Sequence, residues 1–328
     1  IMKERYRKFS TYLKERFGVR VHKVSIDSHF SCPNRDGKVS RHGCIYCDNK
    51  AFSFQSRTDT PPPLTAQIEA GMRAAREKFK AEKFILYFQA YTNTYAPLCV
   101  LKERYDVIRK FDDMVGLSIA TRPDCVNEEI LDLIDSYCDD YDVWIEYGLQ
   151  SIHNTTLDFI NRGHRYEEFL KAVELTRKRG IKICAHVILG FPFETKEMMM
   201  ETARALAELR LDGVKIHPLH IIKGTRLEEL SARGRFRTLK LEAYLETLAD
   251  FLGYLPPEMV IHRVSAYCPP ELLIAPSWVF ERNKVEQQLE KYLEEKDLFQ
   301  GRCLSANSYR SSSVPDGLRL MAYIVLNK

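Results

Sequence analysis

Six segments rich in apolar, β-branched or aromatic residues recur along the chain, and amphipathic segments separate them. The separating segments carry apolar side chains three and four residues apart, as in 130–134, which predicts helices. The side chains of Asn127 and Thr195 are predicted to cap two of them. The predicted strands are Val21–Asp27, Lys83–Gln89, Val115–Thr121, Asp142–Gln150, Lys182–Gly190 and Gly213–Ile221. The predicted helices are Thr65–Ala81, Pro97–Phe111, Asn127–Cys138, Tyr166–Arg179, Lys196–Leu211 and Leu239–Tyr254.

Strands that alternate with helices predict an α/β fold with a parallel sheet and right-handed crossovers. Most of the strands are nearly continuous apolar runs, which is typical of strands with helices on one face and a filled interior on the other. We therefore expect a partial (β/α)6, TIM-like barrel rather than a flat doubly wound sheet. Val260–Ala266 is expected to add an edge strand.

The predicted organisation has three parts. A basic extension over residues 1–20 precedes the barrel, which is assigned to residues 21–256. A C-terminal extension over residues 257–328 contains the edge strand, a charged helix at Asn283–Lys296 and a mobile tail at Leu304–Asp316.

Composition narrows the class of protein. The chain has 328 residues, 45% of them hydrophobic, and a formal net charge of +4, which permits a nucleic-acid partner without demanding one. No apolar run reaches membrane-spanning length, so we expect no membrane partner. The basic residues 1–23 lack the apolar core of a signal peptide, which predicts a cytoplasmic protein. Nine cysteines, an odd number in a large chain, indicate a metal or cluster site rather than a disulfide framework.

The candidate metal ligands lie in one loop directly after the first predicted strand. Cys32 and Cys44 are separated by eleven residues and Cys44 and Cys47 by two. Three thiolates hold three irons of a [4Fe–4S] cluster and leave one iron open, whereas an electron-transfer cluster usually has four cysteines. The alternative is a structural zinc site in which His42 is the fourth ligand.

This loop, on a six-fold βα pattern, resembles the radical S-adenosylmethionine (SAM) enzymes. The first gap differs from the common Cys-x3-Cys-x2-Cys spacing and resembles the branch of the Elongator catalytic subunit. The likeness to the uncharacterised YhcC-like and YtqA-like group rests on the segments VHKVSID, CPNRDG, YFQAYTNTY, TRPD, EYGLQS, NRGH, HVILGFPFET and HRV…ELLIAP. The resemblance implies a [4Fe–4S] cluster held by Cys32, Cys44 and Cys47 as catalytic centre. It also implies SAM on the open iron, which reduction cleaves to a 5′-deoxyadenosyl radical that abstracts hydrogen.

The resemblance further implies residues that hold SAM. Arg162 is expected to meet the SAM carboxylate, since its fork binds a carboxylate with two donors. Glu146, a carboxylate in an apolar strand, must be paired or functional. For several of these positions simple packing or turn chemistry is the alternative. The full set of expected cofactor contacts is Tyr46, Gln89, Ala90, Glu146, Gln150, Arg162, Ile188 and Gly190.

Substrate contacts are expected on the same rim. His217 and His220 lie three residues apart, so strand alternation predicts that they face opposite sides, with one in the cavity and the other in the core. The alternative for Asp124 is a turn residue. The candidates are Tyr91, Arg122, Asp124, His217, His220 and Lys223.

The Elongator-like branch implies a tRNA substrate, modified at the wobble uridine from a carboxymethylaminomethyl to an aminomethyl type. A one-electron reductant such as flavodoxin or ferredoxin is the implied partner. The basic stretches Lys3–Lys23 and Arg233–Lys240 are either phosphate contacts or a solvated face. Two other hypotheses are a radical SAM enzyme acting on a small metabolite or tetrapyrrole, and a zinc-stabilised RNA-binding protein.

Overall fold

The computed structural model describes residues 4–53, 55–57, 60 and 62–304. The predicted tail lies outside these residues from position 305 onward. Within the described part of the chain, none of the helices combines the length and apolar character that a membrane span requires.

A curled sheet of seven parallel strands forms the centre of the fold, in the order β1-β2-β3-β4-β5-β6-β8. This confirms the predicted partial barrel, and the expected edge strand pairs with β6. A separate antiparallel pair joins β7 to β9. The strands are β1 Val21–Ile26, β2 Lys83–Phe88, β3 Met114–Thr121, β4 Asp142–Gln150, β5 Lys182–Leu189, β6 Gly213–Pro218, β7 Ile221–Ile222, β8 Val260–Arg263 and β9 Leu273–Ala275.

Helices cover the outer face of the sheet. Asn127 and Thr195 cap their helices as predicted, by accepting hydrogen bonds from the amides of Ile130 (2.9 Å) and Met198 (3.2 Å). The predicted helix Pro97–Phe111 is shorter and continues as a 3₁₀ turn over Asp106–Lys110. The helices are α1 Phe9–Phe17, α2 Asn49–Phe52, α3 Leu64–Phe79, α4 Leu98–Tyr105, α5 Glu128–Asp135, α6 Asn154–Phe159, α7 Tyr166–Thr176, α8 Lys196–Glu208, α9 Arg226–Ala232, α10 Leu241–Tyr254 and α11 Arg282–Glu295.

The two faces of the strands carry different chemistry. In β4, Ile145 and Tyr147 belong to the large apolar core between sheet and helices, while Glu146 and Gly148 line the interior. β5 repeats the pattern, with Val187 in the core and His186 inside. Because successive side chains of a strand point to opposite faces, the barrel interior is polar although each strand is apolar on average.

The amino-terminal helix α1 closes the lower end of the interior. The Phe9 ring stacks on His262 of β8 with a 4.1 Å centroid separation and packs edge-on against Trp144 of β4. Tyr12 donates to both oxygens of buried Asp142 at 3.0 Å. Since α1 contacts strands across the sheet, the opening of the interior is left at the carboxyl ends of the strands.

Candidate active site

An open cavity lies at the carboxyl ends of the strands, where parallel barrels place their chemistry. Its empty volume, which includes open solvent at the mouth, is about 1320 Å³. Most of the residues that sequence analysis singled out meet on its walls. They are Cys32, Cys44, Cys47, Tyr46, Gln89, Ala90, Tyr91, Arg122, Glu146, Gln150, Arg162, Ile188, His217 and His220.

Three of the expected contacts do not line this cavity. Gly190 has a φ of +94° and faces Leu239, so its glycine serves the backbone turn and the packing of that side chain. Lys223 is exposed after β7. Asp124 borders a second groove that Pro33 and Val126 also line. The expected cofactor contact of Gly190 and the expected substrate contacts of Asp124 and Lys223 therefore have no support from their positions.

The cysteine loop is folded by its own backbone. The amides of Arg35 and Asp36 donate to the Cys32 carbonyl at 2.8 and 3.0 Å, and the Cys47 amide donates to the Cys44 carbonyl at 3.0 Å. The Arg35 guanidinium donates to the Cys47 carbonyl at 2.6 Å. These contacts bend the long gap back, so that all three thiols reach one cavity.

The segment Asn161–Gly163, between α6 and α7, holds the loop in place. Asn161 donates to the Gly43 carbonyl at 2.7 Å, and Asn34 donates to the Asn161 carbonyl at 2.7 Å. Gly163 has a φ of +72°, and a Cβ built there would lie 2.6 Å from Asn34 Oδ1. Only glycine tolerates both that backbone and that approach.

Arg162 places a buried positive charge beside the cysteines. Its Nη1 lies 3.5 Å from Cys44 Sγ, and its Nη2 donates to the Gly148 carbonyl at 2.6 Å. Desolvation, together with the charge of Cys44, raises the pKa of the Cys47 thiol to about 12, although Arg35 and Arg162 act in the opposite direction. A bound metal would deprotonate the thiols, and these guanidiniums would balance the resulting charge.

The donor set fits an iron–sulfur cluster better than zinc. A tetrahedral zinc with bonds of about 2.3 Å holds its sulfur ligands about 3.8 Å apart. Among the described residues, the group of metal-capable side chains whose ligand atoms all lie within 4.8 Å is Glu146, Cys184 and His186, and it contains none of the three loop cysteines. His42 is exposed and outside the cavity. The positions of these side chains therefore give the zinc alternative with His42 no support.

An apolar wall adjoins the cysteines. Tyr46 is 8% exposed, and its ring lies 5.8 Å from that of Phe191 with an interplanar angle of 55°. Ile188, Leu219 and Cys44 belong to the same buried cluster. Burial and the neighbouring Cys44 raise the pKa of Tyr46, so the phenol stays neutral. This wall offers a flat aromatic and aliphatic surface next to the thiols.

Arg122 is committed to intramolecular contacts. Its guanidinium binds Asp124 with two hydrogen bonds of 2.9 and 2.8 Å, and its Nη1 donates to the Arg162 carbonyl at 2.8 Å. The guanidinium lowers the pKa of Asp124 against its desolvation. The pair therefore braces the segment that carries Arg162.

Two residues at the cavity rim have left-handed backbones. Tyr91, after β2, has a φ of 63°, and Gln150, at the end of β4, has a φ of 77° where the pairing with β5 shifts register. Such conformations cost non-glycine residues of order 1–3 kcal/mol and cluster at functional sites. Gln89 is tied to the Phe52 carbonyl at 2.9 Å.

The cavity floor is a buried charge network around Glu146. Lys23 donates to its Oε1 at 2.5 Å, and Lys215 donates to its Oε2. His186, Tyr87 and Ser118 also contact its oxygens, at 2.6, 3.0 and 2.6 Å. The two lysines and His186 hold the pKa of Glu146 well below its usual range, in spite of its full burial.

The partners of Glu146 were missed by sequence reasoning. Lys23, Ser118 and Lys215 each stand at an interior position of an otherwise apolar strand. The signal that could have identified them is a polar residue at an interior-facing position of several otherwise apolar strands.

His217 and His220 both line the cavity, so the expectation that one faces the core is wrong. Strand alternation does not relate them, because β6 ends at Pro218 and His220 follows in a loop. The His217 ring lies 5.7 Å from that of His186. Burial and the charge of Arg263 lower the pKa of His220 to about 4, so this imidazole is neutral.

Sequence comparison identifies the family of proteins to which this cavity and cysteine loop belong. Residues 37–206 match the Radical SAM superfamily, and residues 211–295 match the Radical_SAM C-terminal domain. The chain belongs to the radical SAM superfamily and is a radical SAM enzyme. The uncharacterized protein YtqA of Bacillus subtilis is 40% identical over 299 residues, which are 91% of this chain and 92% of YtqA.

More distant relatives connect the chain to the Elongator branch. The tRNA uridine(34) acetyltransferase of Methanocaldococcus infernus is 28% identical over 211 residues, 62% of this chain and 38% of that enzyme. The solved archaeal Methanocaldococcus infernus Elp3, lacking its N-terminal residues 1–46, superposes with a TM-score of 0.63 at 22% identity. The superposition covers 91% of this chain and 69% of that one. The match to YtqA confirms the predicted YhcC-like and YtqA-like group, and the superposition confirms the half-barrel fold. The similarity to the Elongator branch is more distant.

Proposed function

We propose that Cys32, Cys44 and Cys47 hold a [4Fe–4S] cluster whose open iron binds SAM. The observation that carries this proposal is the meeting of three thiols, and three only among the described cysteines, on the cavity wall. When bound and reduced, this pair of cofactors supplies a 5′-deoxyadenosyl radical that removes hydrogen from the substrate.

The residues beside the thiols would then orient SAM. Arg162 offers its remaining guanidinium donors to the methionine carboxylate, because the Gly148 carbonyl already fixes the fork. Tyr46 and Ile188 offer an apolar surface to the adenine. Gln150 and the Gln89–Ala90 backbone lie on the same walls and would bind the ribose and amino group. Glu146 is saturated by the two lysines, so its role is to hold the floor together.

The proposed substrate is a tRNA wobble uridine, whose carboxymethylaminomethyl group loses its carboxymethyl part. The name of the distant acetyltransferase relative supports this substrate class. So does the exposed aromatic ring of Tyr267 at the cavity edge, since a base turned out of its strand stacks on such a ring.

A basic surface adjoins the cavity and would contact the phosphates. Arg233, Arg235, Arg237 and Lys240 are exposed between α9 and α10. Phe236, inside this run, packs on the apolar cluster that also contains Cys44. The basic run is therefore anchored to the cysteine wall, where an RNA backbone would pass. Flavodoxin or ferredoxin would deliver the electron, and the cytoplasm holds both such partners and tRNA.

The test is conversion of a defined tRNA. Anaerobically reconstituted protein is incubated with SAM, dithionite and tRNA that carries 5-carboxymethylaminomethyluridine, and the digested nucleosides are separated by mass. We expect aminomethyluridine in proportion to 5′-deoxyadenosine. Deoxyadenosine without any change in the tRNA nucleosides would contradict the substrate assignment.

The basic surface is tested by salt. Replacing Arg233, Arg235 and Arg237 by Gln should reduce the slope of log affinity against log salt by up to about three, one for each phosphate contact. The matched control replaces Arg73 by Gln on the outer helix α3, where an exposed guanidinium lies away from the cavity. An unchanged slope in the triple variant would leave these arginines as a solvated face.

A further inference from the structure

A tight turn after β5 carries a phenylalanine at a position that favours glycine. The Glu194 amide donates to the Phe191 carbonyl at 3.2 Å and closes this turn. Pro192 is the second residue of the turn, and Phe193, the third, has a φ of +71°. A type II turn requires a positive φ at its third residue, which is why glycine is usual there. A bulky side chain in this conformation is an outlier that costs folding free energy.

The Phe193 ring recovers little of that cost by burial. It is 76% exposed, the highest value among the exposed large hydrophobic side chains of the described residues. Its ring meets that of Phe159 edge-on, with a centroid separation of 5.3 Å. The Phe191 ring is buried and Glu194 accepts a hydrogen bond from Ser151, so the turn directs Phe193 outward. A single exposed apolar residue is ordinary, but one held out by a strained backbone indicates a partner.

The turn adjoins a basic segment, residues 233–240. Gly190 directly precedes the turn, and a Cβ built on it would lie 3.1 Å from the side chain of Leu239 in that segment. The segment contains no acidic residue, and its cations are exposed: Arg233, Arg235, Arg237 and Lys240. Within the described part of the chain none of these four side chains forms an ion pair. Their charges are therefore available to an anionic partner.

The aromatic pair and the basic segment are anchored to the same apolar cluster. Phe236, inside the segment, packs against the buried cluster that contains Tyr46, and so does Phe159. Through this cluster and the contact of Gly190 with Leu239, the exposed ring and the cations lie side by side, next to the cysteine wall.

An exposed ring beside unpaired cations fits a single-stranded nucleic acid. An unpaired base of any identity stacks on an aromatic ring, while guanidiniums meet the phosphates. The bases of a duplex stay stacked on one another, so a duplex would use the cations and leave the ring free. The position of Phe193 therefore favours an RNA segment that has unpaired bases.

We propose that Phe193 is a stacking platform for an unpaired nucleotide of the RNA substrate, with the neighbouring phosphates on Arg235 and Arg237. The proposal rests on the proposed function and goes beyond it by assigning an RNA contact outside the cavity. The target base enters the cavity beside Tyr267, and a nearby unpaired base lies on Phe193. This second contact holds the strand while the target base is turned out.

The experiment measures the affinity of reconstituted, SAM-loaded full-length protein for an anticodon stem-loop RNA and for a blunt RNA duplex of equal length. Phe193→Gly should weaken binding of the stem-loop by about fivefold or more, as expected for one stacked base, and leave duplex binding unchanged. The slope of log affinity against log salt should stay the same, because no phosphate contact is lost. Phe193→Tyr keeps a stacking ring and should bind as the unaltered protein does.

Two comparisons separate binding from folding. Glycine relieves the strained backbone, so Phe193→Gly should unfold no more readily than the unaltered protein. The matched control is Phe299→Leu, which removes another exposed ring. Phe299 is 48% exposed, and the amide of its neighbour Gln300 donates to the Arg5 carbonyl at 2.9 Å, ahead of α1 at the other end of the barrel. This variant should bind both RNAs normally.

Two results would overturn the platform: equal stem-loop affinity in Phe193→Gly and the unaltered protein, or an equal loss of affinity for the stem-loop and the duplex. A selective loss of stem-loop binding, without any tRNA conversion by the unaltered protein, would uphold the platform and refute the proposed reaction. Conversion of tRNA together with unchanged binding by Phe193→Gly would do the reverse.

Discussion

The Arg162 guanidinium lies 3.5 Å from Cys44 Sγ, and its other terminal nitrogen is held by the Gly148 carbonyl at 2.6 Å. A Cβ on Gly148 would meet that nitrogen at 2.6 Å, so the glycine makes room for the fork. Two chain segments far apart in sequence thereby place one cation beside the proposed cluster, where the proposed contact with the SAM carboxylate would form.

Replacing Arg162 should weaken SAM binding more than cluster binding. Arg162→Gln removes the positive charge and the paired N–H donors of the guanidinium. We expect at least about a tenfold loss of SAM affinity, with iron content retained. Arg162→Lys should recover only part of it, because a lysine cannot bind a carboxylate with two parallel donors. Equilibrium binding of SAM and iron analysis measure the two effects, and unchanged SAM affinity in Arg162→Gln would remove this residue from the site.

The close contact between Gly163 and Asn34 of the cysteine loop predicts that one added methyl group disturbs the proposed cluster. In Gly163→Ala the new Cβ lies 2.6 Å from Asn34 Oδ1, so the cysteine loop must shift, and the iron bound per chain should fall by more than half. Gly18→Ala is the matched control, because Gly18 has the same φ of +72° with nothing within 4 Å. Both variants should lose about 1 kcal/mol from backbone strain. Equal iron contents in the two variants would show that the contact between Gly163 and Asn34 does not position the cysteines.

The charge network predicts a strongly non-additive pair of substitutions. Glu146→Gln leaves Lys23 and Lys215 buried without their shared carboxylate, which should cost about 3–5 kcal/mol of unfolding free energy. Adding Lys215→Met removes one of the orphaned cations and should recover part of that loss. Denaturant titration of both proteins gives the two values. Additive losses would mean that the contacts do not couple.

The neutral histidines predict a loss of stability in acid. Burial and the charges of Arg162 and Arg122 lower the pKa of His164 to about 3 from an ordinary 6.5. Below pH 6.5 the unfolded chain therefore binds a proton that the folded chain does not, so stability is full above pH 6.5 and falls as the pH drops. At pH 5.5 His164 should cost about 1.4 kcal/mol.

Unfolding free energies of the protein and of His164→Gln, measured between pH 7.5 and 5.5, test this cause. His164→Gln should lose less unfolding free energy over that range than the unaltered protein, by about 1.4 kcal/mol. His42→Gln, at an exposed position, should behave as the unaltered protein does. Parallel curves for the parent and His164→Gln would assign the acid sensitivity to other groups.

Much of this architecture could be predicted from the sequence because the strands and helices differ in hydrophobic period. The strand that begins at Lys182 and the caps at Asn127 and Thr195 are local features, so the sequence is sufficient for them. The role of α1 was not predicted. This helix closes the barrel interior because Phe9 packs on His262, and these two residues are more than 250 positions apart in the sequence.

The candidate site likewise has residues that could be predicted from the sequence and residues that could not. The spacing of Cys44 and Cys47 in the sequence is enough to predict a metal site, whereas the partners of Glu146 come from five other strands. Which interior positions meet depends on register, and the pairing shifts at Gly148 and again between β6 and β8. Counting residues cannot supply those shifts. It also cannot show that β6 ends at Pro218, which is the reason for the error over His217 and His220.

The central claim is that three cysteines hold a cluster that cleaves SAM. The direct measurement is 5′-deoxyadenosine formed per chain, together with iron and sulfide, in anaerobically reconstituted protein supplied with dithionite and SAM. We predict about four irons per chain and deoxyadenosine formation, both lost in Cys44→Ser and retained in Cys99→Ser, whose thiol is exposed away from the cavity. Stoichiometric zinc in place of iron, or SAM cleavage that survives Cys44→Ser, would contradict it.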